Sequence, residues 1–266
     1  MDAVVIGAGP NGLAAAATLA RRGWRVLVLE AQRRPGGAVY SEALTLPGYV
    51  HDVGAAFFPF ADDSPAFRSL DLTGAGLRWC NAPRESCHPA PDGSCVTVSR
   101  DVEQTVASFG ADGPAWRRLA LWQRAMGERL AAALLAPLPG LRQAWRLGPW
   151  NLMQLARNGL STTAGFARRH FQTEAARRVV PALALHVDLG PEDFAGAGLG
   201  LVLALLAAHS GFRIPVGGAR AITDALLRRP EEGHGILRTG ARVRAVLVRQ
   251  GRAVGVRTEQ GEEVPV

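Results

Sequence analysis

The sequence predicts an α/β fold, a parallel strand-and-helix unit interrupted by a mainly helical insertion, from three observations. The chain opens with an apolar run, Ala3-Val4-Val5-Ile6, that leads into Gly7-Ala8-Gly9-Pro10-Asn11-Gly12 and then a helical stretch, Leu13 to Arg22. A second apolar run, Trp24 to Leu29, ends on Glu30, 18 positions beyond Gly12. Two ends of this texture, residues 1–79 and 213–266, enclose a middle region, 80–212, of different character.

The order strand, glycine turn, helix has a physical reason. The first glycine permits the tight turn, the second lets a pyrophosphate approach the backbone, and the third lets helix and strand pack closely. Phosphates then rest on free amides at the positive end of a helix. Glycine turns recur by chance in a chain with 31 glycines, so the acid at this spacing carries the weight. A carboxylate at Glu30 accepts hydrogen bonds from both hydroxyls of an adenosine ribose and repels a 2′-phosphate. Together these predict a Rossmann-like dinucleotide-binding unit. This unit does not choose between NAD and FAD, since both present an ADP moiety to the same turn.

In the middle region, Cys80 to Arg100 reads as short strands joined by Pro- and Gly-containing turns. Pro114 opens a helix whose Trp116, Leu119, Trp122, Met126, Leu130 and Leu134 recur at three- and four-residue intervals, ended by Pro137 and Pro139. Thr173 is placed to cap another helix, and Pro191-Glu192-Asp193 precedes the most apolar stretch, Phe194 to Ala208. About fifteen residues is short of the roughly 20 that cross a bilayer. A buried core helix is therefore the stronger reading of that stretch, and a peripheral membrane contact the weaker. The last segment reads as a hairpin, Arg242–Arg249 with Arg252–Thr258, turning at Gln250-Gly251, and Glu259 to Glu262 opens a further turn.

After Glu30, the run Ala31-Gln32-Arg33-Arg34-Pro35-Gly36-Gly37-Ala38 places a second glycine pair just beyond the acid, followed by Tyr49 to Gly54. Later come Pro215-Val216-Gly217-Gly218 ahead of a helix, and Thr239-Gly240-Ala241-Arg242-Val243. In these residues the chain resembles flavoproteins of the amine oxidase and phytoene desaturase superfamily. It is most similar to bacterial phytoene desaturase-like NAD(P)/FAD-dependent oxidoreductases, a group that includes relatives of pyridine nucleotide-disulfide oxidoreductase domain-containing protein 2. The resemblance implies an FAD-binding domain, 1–79 plus 213–266, incomplete at its C-terminus, and an inserted substrate or cap region, 80–212. It further implies Gly7, Gly9, Pro10, Asn11 and Gly12 at the pyrophosphate, Glu30 at the ribose, and Arg34, Gly36 and Gly37 beside it. Gly54 would lie near the flavin, and Val243 would meet the adenine through its backbone. The family often has an Arg directly after the glycine pair; here Ala38 stands in its place. Members are generally much longer, so a chain ending at Val266 is expected to lack the C-terminal half, with most of the flavin-ring site.

Composition bounds the remaining classes. Net charge is +7 with a sequence pI near 10.7, and every basic residue among the 30 is Arg. The arginines come as scattered pairs with no aromatic stacking platform beside them, which argues against nucleic acid as a partner. Cys80, Cys87 and Cys95 form no CxxC pair, so dithiol redox chemistry is not expected. His170, His186 and His209 stand at unrelated spacings, so no metal site is expected and each reads as a surface or helix-end residue. No secretory signal is evident, and the cytoplasm is the default location.

If FAD binds, the hydride chemistry belongs to the flavin, so a missing cluster of catalytic side chains is no objection. No catalytic residue is assigned; Asp52 is a candidate acid, though a turn-stabilising role is the stronger reading. The leading expectation is an FAD-dependent oxidoreductase, or a truncated form of one, moving hydride from an apolar small-molecule substrate to flavin N5. A non-catalytic nucleotide-binding or scaffold protein retaining only the ADP half, and an NAD-only dehydrogenase, stay open. Substrate identity, final electron acceptor and oligomeric state are not legible.

Overall fold

Apolar residues Ala3–Ile6 form β1, which pairs in parallel with β2, Val26–Leu29; β2 pairs in parallel with Gly235–Arg238 on its other side. All four residues of β2 are buried, as expected for the middle strand of a parallel sheet covered on both faces. The computed structural model describes residues 1–61, 63–137, 140–231 and 235–266. These fall into two units: Met1–Phe58, Pro65–Cys80 and Ile214–Val266 make the first, and Pro59–Ser64 with Asn81–Arg213 the second. Residues 59–64 count with the second unit, away from the 1–79 stretch in which the sequence reading places them.

Helix α1 runs Pro10–Ala20, starting three residues before the expected Leu13. Proline's fixed φ suits the first helical position and its missing N–H would have had no intrahelical partner there. Leu13, Ala16, Ala17 and Ala20 recur along one face and are buried. That face packs with the helix Arg220–Glu231, whose Ile222, Ala225 and Leu226 are fully buried in the same cluster. The alanines let the two helix backbones come close.

Three further sheets belong to the described residues of the first unit, one of them pairing Trp79–Cys80 antiparallel with Ile214–Pro215. β3, Ser41–Glu42, pairs antiparallel with β4, His51–Asp52. The C-terminal hairpin, Val243–Arg249 with Arg252–Thr258, turns at Gln250 and Gly251, whose φ values of 49° and 76° suit a tight two-residue turn. Glu263–Pro265 adds a third strand.

In the second unit the hairpin Ser86–Pro89 and Cys95–Val98 precedes the helices. The single helix expected from Pro114 to Leu134 is two, Gly113–Met126 and Glu128–Leu134. Gly127 separates them at φ +52°, a conformation that ends a right-handed helix. Pro137 follows the second helix as expected; Pro139 lies outside the described residues. The stretch Phe194 to Ala208 holds the helix Gly196–Ala207, with Ala197, Leu201, Ala204 and Leu205 in the interior. A side chain at Gly200 would strike the Val180 carbonyl at 2.5 Å, so glycine sets how closely this helix meets Val179–Ala184.

Asp112 is the polar anchor of this unit. Its Oδ1 accepts from the Gln172 amide at 2.7 Å, and its Oδ2 from the Thr173 amide at 2.8 Å and the Thr173 hydroxyl at 2.6 Å. Burial pushes the carboxyl up, but these donors, with Arg177 nearby, outweigh it and hold it below its ordinary value. Thr173 Oγ1 also accepts from the Ala176 amide, the expected helix cap.

His88, on the strand Ser86–Pro89, is 6% exposed and lies 2.9 Å from Ser86 Oγ. Burial, and to a lesser degree repulsion from His186, push its imidazole down to about 4. The unfolded chain takes this proton near pH 6.5, so between there and pH 4 it binds more protons than the native state. Stability is expected to fall by about 3 kcal/mol as pH drops through that window. Urea unfolding from pH 7 to 4.5 checks this: His88→Gln should flatten the slope, and an unchanged slope would refute the assignment.

Candidate dinucleotide site

The glycine turn sits where β1 hands the chain to α1. Gly7 takes φ +94° and donates to the Leu29 carbonyl of β2 at 2.8 Å. At Gly12 an added Cβ would lie 2.0 Å from the Gly7 carbonyl oxygen, so only glycine lets helix and turn meet. Gly9 caps α1 with φ −72° and ψ 173°, and no side chain caps the helix. Leu13 is the first residue to close an intrahelical bond, onto the Gly9 carbonyl at 2.9 Å. The amides of Asn11 and Gly12 therefore stand in the unsatisfied first turn, with no acidic residue there to compete for them.

The second glycine pair folds back onto this turn. Gly36 donates to the Ala8 carbonyl at 2.8 Å, and a Cβ on Gly37 would come within 3.2 Å of Gly9 Cα. Gly36, at φ +120°, is also hemmed by the Val39 carbonyl and Thr223 Oγ1. Thr223, from the helix Arg220–Glu231, hydrogen-bonds that same carbonyl. Two stretches nearly thirty residues apart thus present bare backbone to one place.

Glu30 follows directly on β2 and is 8% exposed. Its Oε2 accepts from the Ala8 amide at 2.6 Å and its Oε1 from the Gln32 amide at 2.8 Å. Its backbone is held as well, by the Arg238 carbonyl at 2.9 Å and the Ala241 amide at 2.8 Å. The carboxylate borders a cavity of about 520 Å³ lined by Glu30, Gln32 to Pro35, Gly37 and Tyr40. Arg34 lies on that lining, its guanidinium 5.4 Å from the Tyr40 ring centre and 2.9 Å from Glu42.

The remaining candidates fall around this core. Gly54 is exposed and packs its backbone on Ala38, where a Cβ would meet the carbonyl at 2.3 Å; it is not on the cavity lining. Val243 opens its strand half-buried against the cluster of Leu27, Leu29 and Ala241, two residues past the Ala241 amide that holds Glu30, and is also off the lining. Asp52 is structural: its Oδ1 accepts from Ser41 Oγ at 2.6 Å and from the Ala219 amide at 2.8 Å, joining β3 and β4 to the start of the following helix. Tyr40, Gln32 and Thr223 were not singled out by sequence reasoning. Tyr40 carried a signal, being the aromatic just after the second glycine pair; Thr223 carried none, since 184 residues separate it from Val39.

Elsewhere, His170 ends the helix Thr163–His170 with Nε2 3.3 Å from Asn158 Oδ1, and His186 and His209 are exposed. Among the described residues no group of three His, Cys, Asp or Glu is placed to hold a metal ion. No described helix is long and apolar enough to cross a membrane.

Comparison with known proteins bears on the same residues. The family of NAD(P)-binding Rossmann-like domains matches residues 5–71. Hydroxyneurosporene desaturase of Rhodobacter capsulatus is 30% identical over 99% of this chain and 54% of its own length. Phytoene desaturase (neurosporene-forming) of the same organism is 27% identical over 99% of this chain and 50% of its own. The chain thus spans about half the length of these curated relatives. Among solved structures, wild-type putrescine oxidase bound to putrescine superposes with a TM-score of 0.62 over 99% of this chain and 56% of that one. At 20% identity this likeness speaks to fold alone.

Proposed function

We propose, from the premise that this chain belongs to the phytoene desaturase-like superfamily of FAD oxidoreductases, that its first unit holds the ADP half of FAD in service of a dehydrogenation. The observation that carries the reading is the Glu30 carboxylate, set at a cavity whose neighbouring backbone is stripped of side chains at Gly9 and Gly37. The donor set fits a diphosphate and a ribose. Gly7, Gly9, Pro10, Asn11 and Gly12 would hold the pyrophosphate through the first-turn amides and the helix dipole. Glu30 would accept from the ribose hydroxyls, Arg34, Gly36 and Gly37 would flank it, and Val243 and Gly54 would lie toward the adenine and the flavin.

When bound, FAD supplies a two-electron acceptor for substrate hydride, and the protein supplies orientation, electrostatics and exclusion of water. Glu30 is already fixed by two backbone amides, so it keeps one orientation before any nucleotide arrives. Its negative charge selects a ribose with free hydroxyls over a 2′-phosphorylated one. The substrate class follows the relatives by name: an apolar polyene-like molecule, with residues 81–213 as the substrate region.

Titration of the purified chain with FAD and ADP, followed by melting temperature, tests this. Both nucleotides should stabilise it, by about 2.7 kcal/mol at a hundredfold excess over Kd, and ADP should displace FAD. Stabilisation by NAD with none by FAD would replace this reading with an NAD-only dehydrogenase. No response to any of the three would leave a scaffold protein.

A further inference from the structure

We infer that the cavity between the strand Ser86–Pro89 and the helices Thr163–His170, Glu174–Arg177 and Val179–Ala184 binds a small carboxylic acid with an apolar tail. Its volume of about 570 Å³ is that of a site for a small organic ligand. The walls are largely apolar, with Ala167 on one helix, Pro181 and Ala182 on another, and Leu185 just beyond. Leu185 is 56% exposed there, aliphatic surface that a bound tail would take out of water. On the strand side stands His88, more than nine-tenths buried, with Nε2 2.9 Å from Ser86 Oγ. With Nε2 accepting from that hydroxyl, Nδ1 carries the hydrogen and has no partner among the described residues.

Charge selects the head group. Arg168, Arg177 and Arg178 border the same cavity with one acid, Glu174. Glu174 is spent on Arg178, whose Nε and Nη2 it meets at 3.3 Å, while Arg178 Nη1 donates to the Pro89 carbonyl. Two positive charges are left over. Arg177 is anchored through Nε on the Phe171 carbonyl at 2.9 Å, and its two terminal nitrogens have no hydrogen-bond partner among the described residues. Its charge also acts on Asp112, but both oxygens of that carboxylate are taken by Gln172 and Thr173. Arg168 makes only a 3.9 Å contact with Glu192. A half-buried guanidinium, held at one nitrogen and open at the other two, matches the two oxygens of a carboxylate. Glu174 close by disfavours a dianionic phosphate in its place. A polyene of the kind proposed above offers these arginines no charge, so the cavity is assigned to a different ligand. Its lining lies wholly within the second unit, and the inference stands apart from the nucleotide reading.

The test is calorimetric titration of the full chain with octanoate, beside octanol, which has the tail without the charge, acetate, which has the charge without the tail, and octyl phosphate. Octanoate should bind at least about tenfold more tightly than octanol or acetate, and more tightly than octyl phosphate. Ala182→Phe, which fills the cavity from its wall, should lower octanoate affinity about tenfold or more, and Arg177→Gln should do the same. Because Arg177 also holds Phe171, Arg168→Gln is measured with it and should cost about threefold or more. Arg169→Gln, exposed on the same helix but off the lining, should bind as wild type does. ADP affinity should be unchanged in all four variants. Octanol or octyl phosphate binding as tightly as octanoate would overturn the inference. So would no binding of octanoate, undiminished binding by Ala182→Phe and Arg168→Gln, or an equal loss in Arg168→Gln and Arg169→Gln.

Discussion

Replacing Gly12 with valine is expected to lower the melting temperature by roughly 6–12 °C, the consequence of about 3 kcal/mol of overpacking. The added Cβ would stand 2.0 Å from the Gly7 carbonyl oxygen, an atom of the backbone that no rotamer change moves aside. Either α1 withdraws from the turn, loosening Leu13, Ala16 and Ala17 from the core they share with Ile222 and Leu226, or β1 shifts against β2. Gly9 separates steric from ligand effects. Its backbone at φ −72° suits any residue, and a Cβ there meets only Gly37 Cα at 3.9 Å. Gly9→Ala should therefore melt within about 2 °C of wild type, yet bind FAD or ADP at least about tenfold more weakly, because the methyl group occupies the approach of the diphosphate. Circular-dichroism melting and nucleotide titration of the two variants make the check. A Gly12→Val protein as stable as wild type would remove the close-packing argument, and full nucleotide affinity in Gly9→Ala would remove the diphosphate from this turn.

These glycines also show how far the sequence could be read. A strand, turn and helix were legible from Ala3 to Ala20 because their signals are local: apolar residues in a row, glycines at fixed offsets, then a helical repeat of Leu13, Ala16, Ala17 and Ala20. The Thr173 cap and the Gln250-Gly251 turn were legible for the same reason. The break at Gly127 was not, because Met126 and Leu130 keep helical spacing across it and only the φ of +52° divides them. Long-range partners were equally hidden. Thr223 closing on Val39, and Asp52 reaching the Ala219 amide, depend on segments well over a hundred residues apart. The stripe from Trp116 to Leu134 showed helical spacing, yet Trp116 is fully buried while Leu134 is 44% exposed. The same reading gave no hint that Trp145 and Trp150 point outward, since helical periodicity tells which residues share a face and not which face finds a partner.

Glu30 ties β2 to the glycine turn at the proposed ribose site, and its substitution is expected to have the second large effect. In Glu30→Ala the Ala8 amide, now bonded at 2.6 Å to Oε2 and lying in a residue with no exposure, loses its acceptor. A buried amide left without a partner costs about 1–3 kcal/mol, so this variant confounds stability with binding. Glu30→Gln is the milder probe. Its amide oxygen can still accept from the buried Ala8 amide, but the charge is lost and the NH2 puts a donor where the Gln32 amide now bonds at 2.8 Å, so a smaller stability loss accompanies the change at the proposed ribose site. Charged hydrogen bonds are worth about 1.5–3 kcal/mol each, so ADP affinity should fall about tenfold or more. The second readout is selectivity. With the negative charge gone, repulsion of a 2′-phosphate goes too, and the preference for ADP over its 2′-phosphorylated form should narrow. Isothermal titration of both nucleotides against wild type and Glu30→Gln measures the two effects together. If ADP affinity and the preference both stay at wild-type values while stability alone drops, Glu30 is only the tie between β2 and the glycine turn, and the ribose belongs elsewhere.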